Sequence, residues 1–501
     1  MKIPARCLLL VCGGALALQA IIGAQSIPVT VRGETQIQLG NILLEDQRYW
    51  EAIRVFEETR QFVTGQQLVR ASAGVLEALL SVAQFTRAQV EAERLRVLAP
   101  EQPDILALVG DALWAGGLFD EAEGVYRDVL ALEPSSGQGR HGLAKSLATR
   151  QEYDEALNWL GAAFEGSPSE PIFHHTLGHI YERTHRFSEA ADAYQRYLDL
   201  LPPLTRNEKV DWARAQVQFL RSFGERPAVQ LASPNQLHTI PFRLVRDKVV
   251  VRGRINGMDA VDFVVDTGAE QTVLSQPVAR QFGVQAIATT LTAGVGEIGL
   301  RRLQSGRLES LEFGSLGISN LPALIKSPPL GGLPTLEAEG FSPLALGLSM
   351  IVDYGRRELT IGKELPEEPY DIGMPLRQHR LTVIRGTVGD EIPRSFVVDT
   401  GGEVISISLG TALLLPPLTV RRVPVNVYGT SGWDEQAYLR PGTNLAFQQL
   451  LYPNYSVVVL NLHRPSALLG FHIGGIIGHE FLSDYRVTLD LNRSMMKLLR
   501  L

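Results

Sequence analysis

Cysteine is nearly missing from this chain. It has 501 residues and 2 cysteines, Cys7 and Cys12, both inside one short N-terminal apolar segment. Beyond residue 12 there is no thiol, which excludes disulfides, thiol catalysis and cysteine-bound zinc from the rest of the sequence. An excess of one charge is missing as well. The net charge is −7, from 47 basic and 54 acidic residues, and no basic stripe marks a nucleic-acid partner. A nucleotide-binding loop is also absent. Gly331-Gly332, just after Pro328-Pro329-Leu330, reads as an ordinary loop and not a phosphate cradle.

What is present begins at the N-terminus. Lys2 and Arg6 flank an apolar run from Cys7 to Leu18, and small residues follow over Ala20–Ala24. Residues 1–24 therefore read as a signal peptide cut after Ala24, giving an exported protein, periplasmic or secreted. Left uncut, Cys7 to Ala24 would serve as a membrane anchor. The length favours two or three domains, and an exported chain without disulfides has to be held by its core.

The next stretch is periodic. Pro100, Pro134, Pro168 and Pro202 lie 34 residues apart, as do Phe85, Phe119, Tyr153 and Phe187. Ala88, Ala122, Ala156 and Ala190 share that register, and Gly110, Ala144 and Gly178 mark another small position. Small residues let two helices of a hairpin approach, aromatics fill the gap to the next hairpin, and proline stops the second helix. The period resembles the tetratricopeptide repeat. A repeat domain over residues 33–223 is expected, with about five hairpins, a degenerate first unit and a closing helix over Asn207–Phe223. Such a solenoid offers a groove for a peptide or a protein partner.

Residues 224–237 carry Pro227 and Pro234 and read as a linker. Beyond them the helical period stops, and short Val/Ile/Leu runs alternate with Gly and Pro. This region divides into two lobes, 238–362 and 374–501, with Lys363–Gly373 between them. Each lobe shows a strand pair, then Phe-Val-Val-Asp-Thr-Gly, a helix-like stretch, a Gly-bearing hairpin and a terminal strand with an aspartate. The hexapeptide stands at Phe263–Gly268 and Phe396–Gly401, so Asp266 and Asp399 are 133 residues apart, one lobe length. The fold class is multidomain: an all-α repeat solenoid followed by an all-β bilobal region.

Two carboxylates forced together cannot both ionise, so they share a proton and offer an acid and a base at once. Residues 238–501 resemble a tandem pair of retropepsin-like aspartic protease domains. That resemblance implies an active site between the lobes, each giving one Asp-Thr-Gly loop. Retroviral members assemble it from two chains and pepsin-like members from one; two lobes in this chain imply an intramolecular dyad of Asp266 and Asp399. Thr267 and Thr400 would lock the loops together, and Gly268 and Gly401 would turn tightly and present their amides. A water between the carboxylates would be deprotonated by one while the other protonates the scissile carbonyl. Neither a metal nor another cofactor is needed. The substrate would be a polypeptide.

The family covers its site with glycine-bearing hairpins. Leu291–Gly296, with Gly294 and Gly296, and Val427–Gly432, with Gly429 and Gly432, take that place, although plain hairpin turns would look the same. The family also has a hydrophobic-hydrophobic-Gly loop below each aspartate. Ile476-Ile477-Gly478 supplies it in the second lobe. In the first, Phe341-Ser342-Pro343 and Ala345-Leu346-Gly347 compete. Gly402 stands where the family has alanine or serine, as at Ala269. His175 and His179 have metal-ligand spacing but lack the glutamate of a zinc-protease helix, and a solvated groove face is the expectation. The reading is an exported aspartic endopeptidase. Its rival is a peptide-binding scaffold on a decayed protease fold.

Overall fold

A computed structural model describes residues 28–203, 205–296, 299–326, 339–389, 391–418, 421–429 and 431–501. The export or anchor segment, Thr430 and Pro328–Gly332 lie outside the described residues. Helices α1 (Val29–Glu45), α2 (Tyr49–Thr59), α3 (Gly65–Ser81), α4 (Phe85–Leu98), α5 (Pro103–Ala115), α6 (Phe119–Leu132), α7 (Gly137–Ala148), α8 (Tyr153–Gly166), α9 (Pro171–Arg183) and α10 (Phe187–Leu200) form five hairpins. Helix α11 (Glu208–Arg221) follows them. Each of the four periodic prolines falls two residues after the end of α4, α6, α8 or α10. The small positions work by contact. A Cβ at Gly110 would lie 2.5 Å from Cε1 of Tyr126, whose ring is fully buried between α5 and α7. The first hairpin, α1–α2, uses Gly40 in the same way against Phe56, two residues out of step with the others.

The β region repeats one topology. Val250 pairs with Val264 in the first lobe and Val383 with Val397 in the second. Phe263–Val265 runs parallel to Glu339–Phe341, as Phe396–Val398 runs parallel to Gly475–Ile477. A sheet built from both lobes joins them. The two terminal strands pair antiparallel with Ile351 opposite Thr488, flanked by Glu358–Gly362 and Met495–Arg500, and then by His238–Pro241 and Ile372–Gln378. One hydrophobic cluster runs through both lobes, from Phe263, Val265 and Phe341 to Phe396, Val398 and Ile477.

Two expectations change. The linker 224–237 is not a free connector: Gln230 and Leu231 pair with Ser319 and Ile318 as an edge strand of the first lobe. One short two-residue ladder on that edge orders it despite its turn-rich composition. The repeat groove is not open along its length either. The turn after strand Ile372–Gln378 inserts against the first helices of successive hairpins. His379 packs edge-on to Trp114 of α5 at 4.9 Å and against His179 of α9 at 4.5 Å, and Arg380 stacks over Trp212 of α11 at 4.7 Å. His175 and His179 are therefore partly covered by packed rings rather than lying on an open solvated face. His175 packs against Tyr194, Tyr197 and Trp212, and burial holds it neutral, while burial lowers His179 to about 3. Among the described residues no cluster suited to a metal ion occurs.

Candidate active site

The strands Ala260–Val265 and Ile392–Val398 each end in a motif aspartate. Alternate side chains, Phe263, Val265, Phe396 and Val398, are fully buried and fix each strand end in the core. The parallel neighbour then holds each aspartate by its backbone: Asp266 N–H donates to Phe341 O at 2.8 Å, and Asp399 N–H to Ile477 O at 3.0 Å. This pairing settles the first-lobe ambiguity. Phe341-Ser342-Pro343 is the counterpart of Ile477-Gly478-His479, with Ser342 where the second lobe has glycine, and Gly347 closes the short 3-10 turn beyond it.

The threonines cross between lobes. Thr267 Oγ1 donates to Val398 O and Thr400 Oγ1 to Val265 O, each at 2.6 Å. Each hydroxyl oxygen also accepts from the other threonine's backbone: Thr400 N–H to Thr267 Oγ1 at 3.0 Å, and Thr267 N–H to Thr400 Oγ1 at 3.2 Å. Both threonines are buried, so these bonds are shielded from water. The lattice brings the aspartates together: a Cβ at Gly401 would lie 2.9 Å from Asp266 Oδ1 and 3.2 Å from Asp399 Oδ1. Gly401 N–H donates to Asp399 Oδ1 at 2.8 Å, and the Gly268 amide acts to lower Asp266.

Burial pushes Asp266 up to about 7, with the Asp399 charge adding to the rise. Burial also raises Asp399, while the amides of Gly401 and Gly402 restrain it. Both residues are partly exposed. Lys248, which the sequence reading passed over, donates from Nζ to Gly401 O at 2.8 Å, and its charge lowers both aspartates. Also passed over was the ion pair of Arg380 with Glu270 at 2.5 Å, joining the second lobe to the chain just beyond Asp266. Superposing the two motif copies on their 133-residue offset would have drawn attention to these flanks, although not to which charges meet.

The hairpins expected as flaps meet tip to tip. Ser431 N–H donates to Val295 O at 2.9 Å, and a Cβ at Gly429 would lie 2.3 Å from that same carbonyl oxygen. Gly296 has φ +135° and Gly432 φ +102°, where a side chain would be strained. Gly294 closes the first hairpin, donating to Gly299 O at 3.1 Å.

The motif glycines touch the opposite carboxyl group. A Cβ at Gly268 would sit 2.5 Å from Asp399 Cγ, and one at Gly401 2.9 Å from Asp266 Cγ. At Gly402 the nearest atom is Oδ2 of its own loop's Asp399, at 3.0 Å. Gly268→Ala is therefore expected to cut the turnover of any chemistry here at least ~100-fold, the scale for displacing a reacting group by about 1 Å. Gly402→Ala is expected to retain most of it, because a few tenths of an ångström of loop adjustment accommodate a methyl. Steady-state kinetics of the two variants, with unchanged circular dichroism, checks this.

Comparison with known proteins agrees with this geometry. Residues 251–336 match the family model described as gag-polyprotein aspartyl protease, and residues 77–137 and 141–204 match the tetratricopeptide repeat. The protease match ends before Asp399, so the second lobe's likeness rests on its repeated motif and topology. No curated protein matches the chain. Among solved structures, a thermophilic tetratricopeptide-repeat protein of Thermus thermophilus is 18% identical, with 34% of this chain and 93% of that one covered and a TM-score of 0.31. Pseudomonas aeruginosa PilF is 12% identical, covering 39% and 86%, with a TM-score of 0.30. MamA from Desulfovibrio magneticus is 17% identical, covering 34% and 94%, with a TM-score of 0.27. The chain carries tetratricopeptide repeats followed by an aspartic-protease-like domain.

Proposed function

We propose that this chain is an exported aspartic endopeptidase that hydrolyses peptide bonds with Asp266 and Asp399. The supporting observation is the close approach of the two Asp-Thr-Gly loops, each motif glycine beside the opposite lobe's carboxyl group, held from both lobes by crossed threonines. With one proton on the pair, the charged carboxylate takes a proton from a bound water as it attacks the scissile carbonyl carbon. The protonated partner gives its proton to the carbonyl oxygen. Collapse of the resulting diol breaks the C–N bond and delivers a proton to the departing amine, so water is divided between the two products. The paired hairpins Ala286–Phe313 and Val427–Asp434 would part to admit an extended peptide and close to exclude solvent. Export rests on the N-terminal charge and hydropathy pattern alone.

The second reading, a peptide-binding scaffold, is favoured by Ser342 in the place of a loop glycine and by Gly402. One experiment separates the two. The purified chain is incubated with unfolded protein between pH 3 and 8, and new termini are identified by mass spectrometry. The endopeptidase reading expects internal cuts, with a specific rate unchanged on tenfold dilution because both carboxylates belong to one chain. Peptide retention without any cleavage in that range would leave the scaffold reading.

A further inference from the structure

A recess of about 80 Å³ lies where α9–α11, the first lobe and the second lobe meet. Its polar wall is incomplete. Arg183, Gln271 and Thr272 line it, and their Nε, Oε1 and Oγ1 atoms are buried with no hydrogen-bond partner among the described residues. Thr272 is only 1% exposed. Buried polar atoms seldom stay unsatisfied, and leaving one so costs about 1–3 kcal/mol. Three on one recess point to something that enters it.

The chemistry of the wall describes the occupant. Arg183 spends its two terminal nitrogens on neutral acceptors, Ala345 O at 3.1 Å and Leu344 O at 3.2 Å. Among the described residues no carboxylate lies within ion-pair distance of it. Arg380 is different: its charge is already matched by Glu270 at 2.5 Å. Glu182, also in the wall, accepts from Tyr194 Oη at 2.9 Å, and burial pushes its carboxyl up. The recess thus holds one guanidinium with no carboxylate within ion-pair distance among the described residues and an unpartnered Nε–H, beside an acceptor at Gln271 that suits a peptide N–H. Phe187, Trp212 and Leu346 add an apolar floor.

The position is equally specific. Glu270, on the rim, is four residues beyond Asp266, which places it at most about 14 Å from the dyad along the chain. An extended peptide covers that distance in about four residues. We infer that the recess anchors an acidic segment of the substrate polypeptide about three to five residues from the bond cleaved, with Arg183 receiving a carboxylate. The inference rests on the endopeptidase reading for the word substrate, and it gives the repeats a direct part in choosing the peptide.

The test uses binding, so that it does not depend on catalysis. The full chain carrying Asp399→Asn is equilibrated with a tryptic digest of denatured serum albumin, and the retained peptides are identified by mass spectrometry. The retained pool is expected to be enriched at least about fivefold in peptides with Asp or Glu next to a large apolar residue, a discrimination of about 1 kcal/mol. Adding Arg183→Gln should abolish that enrichment. Thr272→Val should weaken retention without lowering the melting temperature, because the hydroxyl it removes has no protein partner. That second variant decides the matter if Arg183→Gln loses its carbonyl contacts and melts early. No retention, or the same acidic enrichment with Arg183→Gln and Thr272→Val, would overturn the inference and leave a recess filled by water alone. Selective retention combined with a wild-type chain that never cuts would overturn the endopeptidase reading and leave the anchoring site standing.

Discussion

Asp266→Asn and Asp399→Asn, each alone, are expected to lower peptide-bond hydrolysis by at least about 1,000-fold. An amide cannot accept the water's proton at neutral pH and has no acidic proton for the carbonyl oxygen, so the surviving carboxylate is left with one role of two. General acid and base contributions of about 100- to 10,000-fold each set the scale. The double variant should be no slower than either single one, since the pair acts as a unit. Active-site titration of each variant against wild type, with folding checked by circular dichroism, makes the comparison. A single variant retaining a tenth of the activity would move the chemistry elsewhere.

The pH dependence follows from the same pair. Burial, then the Asp399 charge, lifts Asp266 to about 7. The singly protonated dyad is therefore lost as pH rises through that region, and activity should fall on the alkaline side near neutrality. Lys248 lowers both aspartates, so Lys248→Met should carry the alkaline limb to higher pH. Stability moves in a related way. A carboxyl whose folded value lies above its unfolded value of 3.8 binds more protons in the folded state. Its folded state is favoured at low pH, and stability declines as pH rises from about 4 through about 7. Asp266→Asn removes that decline. It should raise the melting temperature at pH 8 and leave it unchanged at pH 4, with an effect on the order of a few kcal/mol.

How much of this was legible beforehand depended on range. The 34-residue register of Pro100, Pro134, Pro168 and Pro202 marks helix ends because proline acts on its own backbone, and the structure ends a helix two residues before each one. The duplicated hexapeptide carried the lobe topology for the same reason: its strand, turn and aspartate are contiguous. What escaped was long-range. Phe341 and Ala345–Gly347 could not be told apart by spacing, because the deciding bond, Asp266 N–H to Phe341 O, spans 75 residues. Lys248 looked like an ordinary strand-end cation until the second lobe's Gly401 carbonyl met it. The linker's Gln230–Leu231 carries no strand pattern of its own and is ordered by the edge it joins. His175 and His179 were assigned to a wet groove because nothing in α9 announces that His379 will fill it.

Removal of residues 28–223 is expected to abolish the cooperative fold of the protease half, not merely a docking function. The reason lies in where the second lobe buries its outer face. Leu381, Val383, Val397, Leu460, Phe471 and Ile473 belong to one hydrophobic cluster with the repeat side chains Leu113, Trp114, Leu118 and Phe119. Phe471 meets Phe119 with ring centroids 5.4 Å apart. Backbone groups cross the same boundary: His472 N–H donates to Ala115 O at 2.7 Å, and Gln378 N–H to Thr149 O at 2.8 Å. On the other side α11 packs on the first-lobe hairpin through Ala288 and Ile287, and Arg302 pairs with Asp211 at 3.2 Å. Each large apolar side chain returned to water costs about 1.5–3 kcal/mol, so exposing four of them approaches the whole stability of a typical domain, about 5–15 kcal/mol. A 224–501 fragment should therefore show dye-binding hydrophobic surface and rapid amide exchange in strands Thr382–Val388 and Ile392–Val398, the strand that carries Asp399. With that strand loosened, the close approach of the two Asp-Thr-Gly loops cannot persist, and hydrolysis should disappear together with the fold. A fragment that melts at the full-length temperature and cleaves at the full-length rate would mean that the repeats merely sit beside the protease half, without completing its core.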